Sequence, residues 1–330
     1  MPRAYRGSAD ARRYPPPVFG SHLSIAGSMC NALAEAEALG LDTVQVFTKN
    51  QQQWKAKPLD RAMVRDWHAH VARLGWHGRV VSHASYLINL ASCKDDLFAK
   101  SVDLMTDEIE RCEALGIPFL VHHPGSFVGW TLEQGLARIA DAYAELLRRT
   151  TGARVVLCLE STAGAGSTIG GRFEHLADLR RLILNRAAAP DRVGFCLDTC
   201  HMHAAGYDLS TRDLADAALD DFDRLAGLAH VRVLHLNDSK GACASRLDRH
   251  EHIGVGTVGG PAAAPSPERL RASGFAAVLN RPSLRAVPKI LETPKEEPDE
   301  KARLAKLPPA ERPEALDRIN IARLRALVEA

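Results

Sequence analysis

An α/β fold of the (β/α)8 TIM-barrel class, a single domain with a C-terminal helical extension, is the architecture that this sequence predicts. Three observations predict it. Short β-branched, apolar runs recur eight times along the chain, and each is followed by a segment with helical spacing. Several of the runs are apolar nearly throughout, as strands covered on both faces must be. The 330 residues are enough for one closed parallel barrel with its outer ring of helices.

In order, the predicted strands are 18–21, 43–48, 79–82, 118–121, 154–159, 193–197, 231–236 and 288–291. Between them, Val102, Met105, Ile109 and Cys112 fall on one helical face, and Leu132, Leu136, Ile139, Tyr143 and Leu146 repeat the pattern. The barrel domain is expected to run from 18 to 294, behind a flexible basic N-terminal extension at 1–17. A Pro- and Ala-rich stretch at about 259–285 reads as a surface insertion carrying one short helix. From 295 to 330 a charged loop and helices follow, with Ile319, Leu324 and Leu327 expected to dock the last helix on the barrel.

Composition excludes some classes and is silent on others. With 46% apolar and 25% charged residues and no long apolar run, the chain is not expected to insert in a membrane. The first 20 residues hold four arginines and no apolar stretch before their prolines, so they are not expected to act as a secretory signal. Asp10 and the short length also argue against an organellar transit peptide. Seven cysteines without a CxxC pair fit a reducing compartment, which places the protein inside the cell, cytoplasmic or nuclear. A net charge of +2 can hide a local basic groove and does not identify a substrate.

The chemistry is concentrated where such a barrel builds its active site, at the C-terminal strand ends and the loops after them. His83, His123, Glu160, Asp198, His235 and Glu292 end or follow six successive predicted strands. His201 follows in DTCH, and Asp248 and His250 lie in RLDRHEH. Nine imidazole and carboxylate ligands exceed what one zinc takes, so two or three ions are implied. A His and carboxylate set suits Zn or Mn, and a compact ion cluster suits phosphodiester hydrolysis.

Any single histidine is more often a hydrogen-bonded structural residue. His68, His70, His77, His175 and His230 read that way from their places on or beside helices and strands, while His22, His122, His203 and His252 could orient ligands. The glycine-rich TAGAGSTIGG at 162–171 lacks the Gly-Lys-Ser/Thr of a phosphate loop, and either lets backbone approach a DNA strand or is a tight barrel loop. No GxSxG elbow occurs, and Cys200 reads as the neighbour of a ligand, not as a nucleophile.

The motifs FTKNQQQW (47–54), SHASYLINL (82–90), HPGS (123–126), LESTAGAG (159–166), DTCHMHAAGYDL (198–209), LHLNDSK (234–240), RLDRHEHIG (246–254) and LET (291–293) together resemble the endonuclease IV family, AP endonuclease family 2. That resemblance implies three zinc ions per chain and hydrolysis of the phosphodiester 5′ to abasic sites, with removal of blocked 3′ ends. By the family pattern His83 and His123 would hold one zinc, bridged by Glu160 to a second that Asp198, His235 and Glu292 complete. His201, Asp248 and His250 would hold the third. Glu160 and Glu292 are the residues expected to be indispensable to catalysis. The partner implied is double-stranded DNA with an abasic nucleotide turned out of the helix, met by a monomer.

For DNA contact, Tyr86 and Leu87 match the family's wedge, and Gln52 and Gln53 lie in the second recognition loop. Gln52 stands where some members carry arginine, which shifts anchoring toward Gln51, Gln53 or Lys49. Val255 replaces a residue commonly charged in the family. The rival readings are a divalent-metal sugar isomerase or epimerase on the same barrel, and a binder of damaged DNA without turnover. The loop-borne set of His201, Asp248 and His250 speaks against the first, since a sugar site does not need it. An intact ligand set, costly to bury without ions, speaks against the second.

Overall fold

The computed structural model of the protein describes residues 16–259, 265–295 and 316–329. Its strands are β1 (Phe19–His22), β2 (Thr43–Val46), β3 (Val81–His83), β4 (Phe119–His122), β5 (Val156–Glu160), β6 (Val193–Asp198), β7 (Val231–His235), β8 (Asp238–Ser239), β9 (His250–Glu251) and β10 (Lys289–Leu291). Eight of them pair in parallel and close into a barrel in the order β1-β10-β7-β6-β5-β4-β3-β2, while β8 and β9 form a separate antiparallel ribbon. The expected strands are all present, with ends moved by a residue or two.

The helices are α1 (Met29–Ala38), α2 (Arg61–Leu74), α3 (Asp95–Leu115), α4 (Leu132–Arg149), α5 (Phe173–Arg186), α6 (Thr199–Ala205), α7 (Arg212–Leu225), α8 (Pro267–Ala272), α9 (Gly274–Asn280) and α10 (Leu316–Arg325). Helix α4 shows why the local sequence folds as it does. Thr131 and Gln134 form a reciprocal capping box at its start, and Leu136, Ile139, Tyr143 and Leu146 all lie on its buried face.

The barrel interior follows from strand alternation, because side chains two residues apart share a face. Val81, Val121, Cys158, Cys196, Val233 and Ile290 form one fully buried apolar layer. Each stands two positions before His83, His123, Glu160, Asp198, His235 and Glu292 respectively. One alternation therefore builds the plug of the barrel and the polar ring above it.

Two expectations about packing are corrected. The stretch before β10 carries two short helices and a 3-10 turn (Pro282–Leu284). Phe275, Leu279 and Leu284 are buried, and α9 packs on α7, so this part closes the helical ring between β7 and β10 and is no surface insertion. Its alanine-rich composition conceals the apolar FAAVL run that docks it. In α10 the buried apolar residues are Ile321 and Leu324, followed by Leu327, while Ile319 is half-buried. Asn320 turns inward instead, donating to Thr293 and accepting from the Ile253 amide. The expectations for 1–15, 260–264, 296–315 and 330 lie outside the described residues. Among the described residues no helix is long and apolar enough to cross a membrane.

Candidate metal centre

All nine imidazole and carboxylate residues singled out in the sequence meet at the C-terminal mouth of the barrel, in three groups. In the first, His83 Nε2 and His123 Nε2 lie 3.1 and 3.3 Å from Glu160 Oε2. In the second, His235 Nδ1 faces Glu160 Oε1 at 2.9 Å, Glu292 Oε2 at 3.2 Å and Asp198 Oδ2 at 3.8 Å. In the third, His201 Nε2 and His250 Nε2 stand 3.2 and 3.5 Å from Asp248 Oδ1. Glu160 turns one oxygen to each of the first two groups. Ligand atoms around a tetrahedral zinc at about 2.0–2.1 Å stand roughly 3.3 Å apart, and the separations here, from 2.9 to 3.8 Å, bracket that spacing.

Local folding explains how distant residues arrive. Asp198 caps α6, its Oδ1 accepting the His201 amide at 2.9 Å, so the DTCH spacing delivers both side chains to one place. The third group depends on the β8–β9 ribbon. The Asp238 carboxylate accepts the amides of Ser239, Gly254, Val258 and Gly259, which folds the following loop tightly against the ribbon. A Cβ at Gly256 would come within 2.3 Å of the Ser239 carbonyl oxygen, so only glycine fits that approach. Gly170, at φ +107°, likewise brings the 162–171 loop against the Glu160 carbonyl.

The hydrogen bonds of the rings decide what the groups can hold. His83 Nδ1 is 2.8 Å from the Ala84 carbonyl, His201 Nδ1 is 2.8 Å from the Ser161 carbonyl, and His250 Nδ1 is 3.2 Å from the Glu292 carbonyl. A carbonyl only accepts, so each Nδ1 donates, and each neutral ring then turns the Nε2 lone pair toward carboxylate oxygens that also only accept. His201 Nε2 and His250 Nε2 are buried and make no hydrogen bond. Lone pair against lone pair at this distance calls for a proton or a metal ion between them, and carbonyl-tethered imidazoles are the usual metal ligands. The residues present thus fit divalent ions.

Charge in the pocket follows the same logic. Burial would raise the Glu160 carboxyl, but His235 and His123 hold it well below the ordinary range. Burial likewise opposes ionisation of Glu292, which His235 and the adjoining His22 ring keep well below it. Asp248 falls to about 2, burial being outweighed by its contact with His201. Burial disfavours charge on His235, yet Glu292, Glu160 and Asp198 lift its pKa to about 9. His201 is raised well above 6.5 against its burial, mainly by Asp198.

Beside the ligand groups lies a cavity of about 290 Å³, lined by Tyr86, His123, Ser126, Thr162, Ala163 and Asp248 among others. Tyr86 is 59% exposed, and its ring centroid is 5.2 Å from that of His83 and 5.8 Å from that of His123. Leu87 is half-buried, and Gln52 and Gln53 are exposed on a turn held by Asn50. The 162–171 loop forms one wall, bridged to the 123–126 loop through Ser126 and Thr168.

Several remaining candidates are resolved by their contacts. His68 bonds the Ala114 carbonyl, and His122 is buried against the Tyr143 hydroxyl at 2.6 Å, so both are structural. His203, Asp208 and Cys243 form a further cluster, but His203 Nδ1 accepts the Leu209 amide, which places the ring proton on Nε2 and spoils it as a neutral ligand. Cys200 is buried, with its thiol on the Arg249 carbonyl, and burial pushes its pKa far up. All seven cysteines are unpaired. The sequence reading missed Gln45 and Asn237. Asn237 donates to Asp198 Oδ2 at 2.7 Å and accepts the Glu292 amide at 2.7 Å. Its signal was available, since it stands two residues beyond His235.

A family model described as a xylose isomerase-like TIM barrel matches residues 33–306. The chain is 44% identical over 312 residues to a probable endonuclease 4 of Chloroflexus aggregans, covering 94% of this chain and 98% of that one. Among solved structures, endonuclease IV from Thermus thermophilus is 37% identical and matches with a TM-score of 0.74, covering 94% of this chain and 98% of that chain. An L-ribulose 3-epimerase, 17% identical with a TM-score of 0.60 over 94% of this chain and 92% of that chain, shares the barrel alone.

Proposed function

The chain belongs to the endonuclease IV family, and from that membership we propose that it is a zinc-dependent DNA-repair hydrolase cutting the phosphodiester 5′ to abasic nucleotides. The cut leaves a 3′-hydroxyl, and the same site removes blocked 3′ ends. The observation that carries this reading is the set of tethered imidazoles whose lone pairs face carboxylate oxygens in three adjoining groups.

His83, His123 and Glu160 would hold one zinc, Glu160, Asp198, His235 and Glu292 a second, and His201, Asp248 and His250 a third. Bound zinc supplies a water nucleophile at neutral pH and positive charge for the phosphate in the transition state. The chain's own part is placement. Glu160 fixes the separation of the first two groups through its two oxygens, and the carbonyls of Ala84, Ser161 and Glu292 set the ring orientations. The apolar layer beneath keeps water from the floor of the site. Tyr86 and Leu87 would enter the gap left by the displaced nucleotide, with Gln52 and Gln53 against the backbone. A sugar epimerase would have no use for the third group.

The proposal includes a monomer working inside the cell, where unpaired cysteines are at home. The test is incubation with a duplex carrying one abasic nucleotide. A single nick on its 5′ side is expected, lost on treatment with a strong chelator and restored by zinc. A duplex that is bound and left intact, or a nick that survives the chelator, contradicts the reading.

A further inference from the structure

We propose that Gln45 is a positioning residue of the second ligand group, whose amide dictates which nitrogen of His235 and which oxygen of Glu292 face the ion. The inference rests on the metal reading above. Of the eight barrel strands, β1 and β2 supply none of the nine ligands. Their interior polar residues, His22 and Gln45, stand instead behind the ligands of other strands.

Gln45 is fully buried and makes three side-chain contacts, all with residues of the mouth. Its Nε2 lies 2.7 Å from Glu292 Oε1 and 3.0 Å from His22 Nδ1, and its Oε1 lies 2.9 Å from His235 Nε2. Chemistry forces this orientation. An ionised carboxylate can only accept, so the amide must turn its NH2 end to Glu292, and the opposite end is then an oxygen that only accepts. His235 must therefore carry its proton on Nε2.

The consequence falls on the other nitrogen. The Nδ1 lone pair of His235 is aimed at Glu160 Oε1, Glu292 Oε2 and Asp198 Oδ2, at 2.9, 3.2 and 3.8 Å. The same amide engages Oε1 of Glu292, so Oε2 is the oxygen left to face the group. One neutral side chain that touches no ion fixes two of the four residues around it. Without it both His235 tautomers become available, and the Glu292 carboxylate can rotate.

Gln45→Met removes both hydrogen-bonding ends at similar length. Gln45→Glu keeps an acceptor for His235 but sets a negative oxygen against Glu292. Metal-stripped wild type and both variants are titrated with zinc against a chromophoric chelator, with thermal melts of the stripped proteins and visible spectra after cobalt loading. Wild type is expected to take three ions. Each variant should bind one ion about 10- to 100-fold more weakly while the other two keep their affinities, and the cobalt spectrum should change for that ion alone. Because Gln45→Glu keeps a polar side chain, it preserves the test if Gln45→Met fails to fold. Variants that bind three ions with wild-type affinities and unchanged cobalt spectra overturn the role of Gln45. A wild type that takes up no zinc overturns the metal reading itself.

Discussion

The plug and the mouth of the barrel are built from the same strands, two residues apart, and behave in opposite ways. Val81, Val121, Cys158, Cys196, Val233 and Ile290 are sealed from water without a charge among them. Burying an aliphatic side chain of this size stabilises a fold by about 1.5–3 kcal/mol. Two residues further along, His83, Glu160, Asp198 and His235 are buried nearly as deeply, and there burial costs free energy unless each charge is matched. The alternation teaches that the plug holds the barrel together while the mouth waits for cations. The apolar floor also strengthens every electrostatic contact above it.

Breaking the mouth should be costly to turnover and harmless to the fold. Glu160→Gln and Glu292→Gln are each expected to lower abasic-site incision by at least about 10³-fold, since several kcal/mol of charge stabilisation is lost. Thermal melting of the metal-free variants should stay at or above that of metal-free wild type. Incision at the wild-type rate by either variant would remove the roles assigned to these residues. Breaking the plug should do the reverse. Ile290→Ala is expected to cost about 2–5 kcal/mol in denaturant unfolding while the zinc count stays the same, and loss of zinc without loss of stability would invert the comparison.

A smaller effect separates the regions by pH. In the metal-free protein His235 titrates at about 9, above its ordinary 6.5. The stability it contributes is therefore fully present below about 6.5 and is lost as pH rises through about 9. Metal-free protein should melt a few degrees lower at pH 9.5 than at pH 6.5, and zinc-loaded protein should show a shallower fall, because only the part due to His235 is removed. In the plug, burial holds the Cys158 and Cys196 thiols protonated above their ordinary value of 9.0, which adds a decline in stability at alkaline pH that is the same with and without zinc. Equal slopes for both forms would mean that zinc does not occupy the face of His235.

The sequence carried much of this, for a physical reason. A ligand at a strand end with an apolar residue two positions earlier is a period-two pattern visible in VSH, VHH, CLE, CLD, VLH and ILE. The DTCH spacing was legible too, because a capping aspartate and the third residue of its helix are bound to be close. Gln45 was not, since a lone glutamine in TVQV gives no sign that Glu292 and His235 meet it from 247 and 190 residues away. The arrival of Asp248 and His250 depends on a two-residue ribbon tied by Asp238, too short to register as a strand pattern. The packing of α9 was hidden by composition, as proline and alanine around FAAVL resemble a loop.

Anomalous scattering from zinc-loaded crystals, measured on both sides of the zinc edge, tests the central claim most directly. Three peaks are expected at the mouth. One should lie by His83 and His123, one by His235, Asp198 and Glu292, and one by His201, Asp248 and His250. No peak there, or a single peak with the third group turned away, would contradict the account.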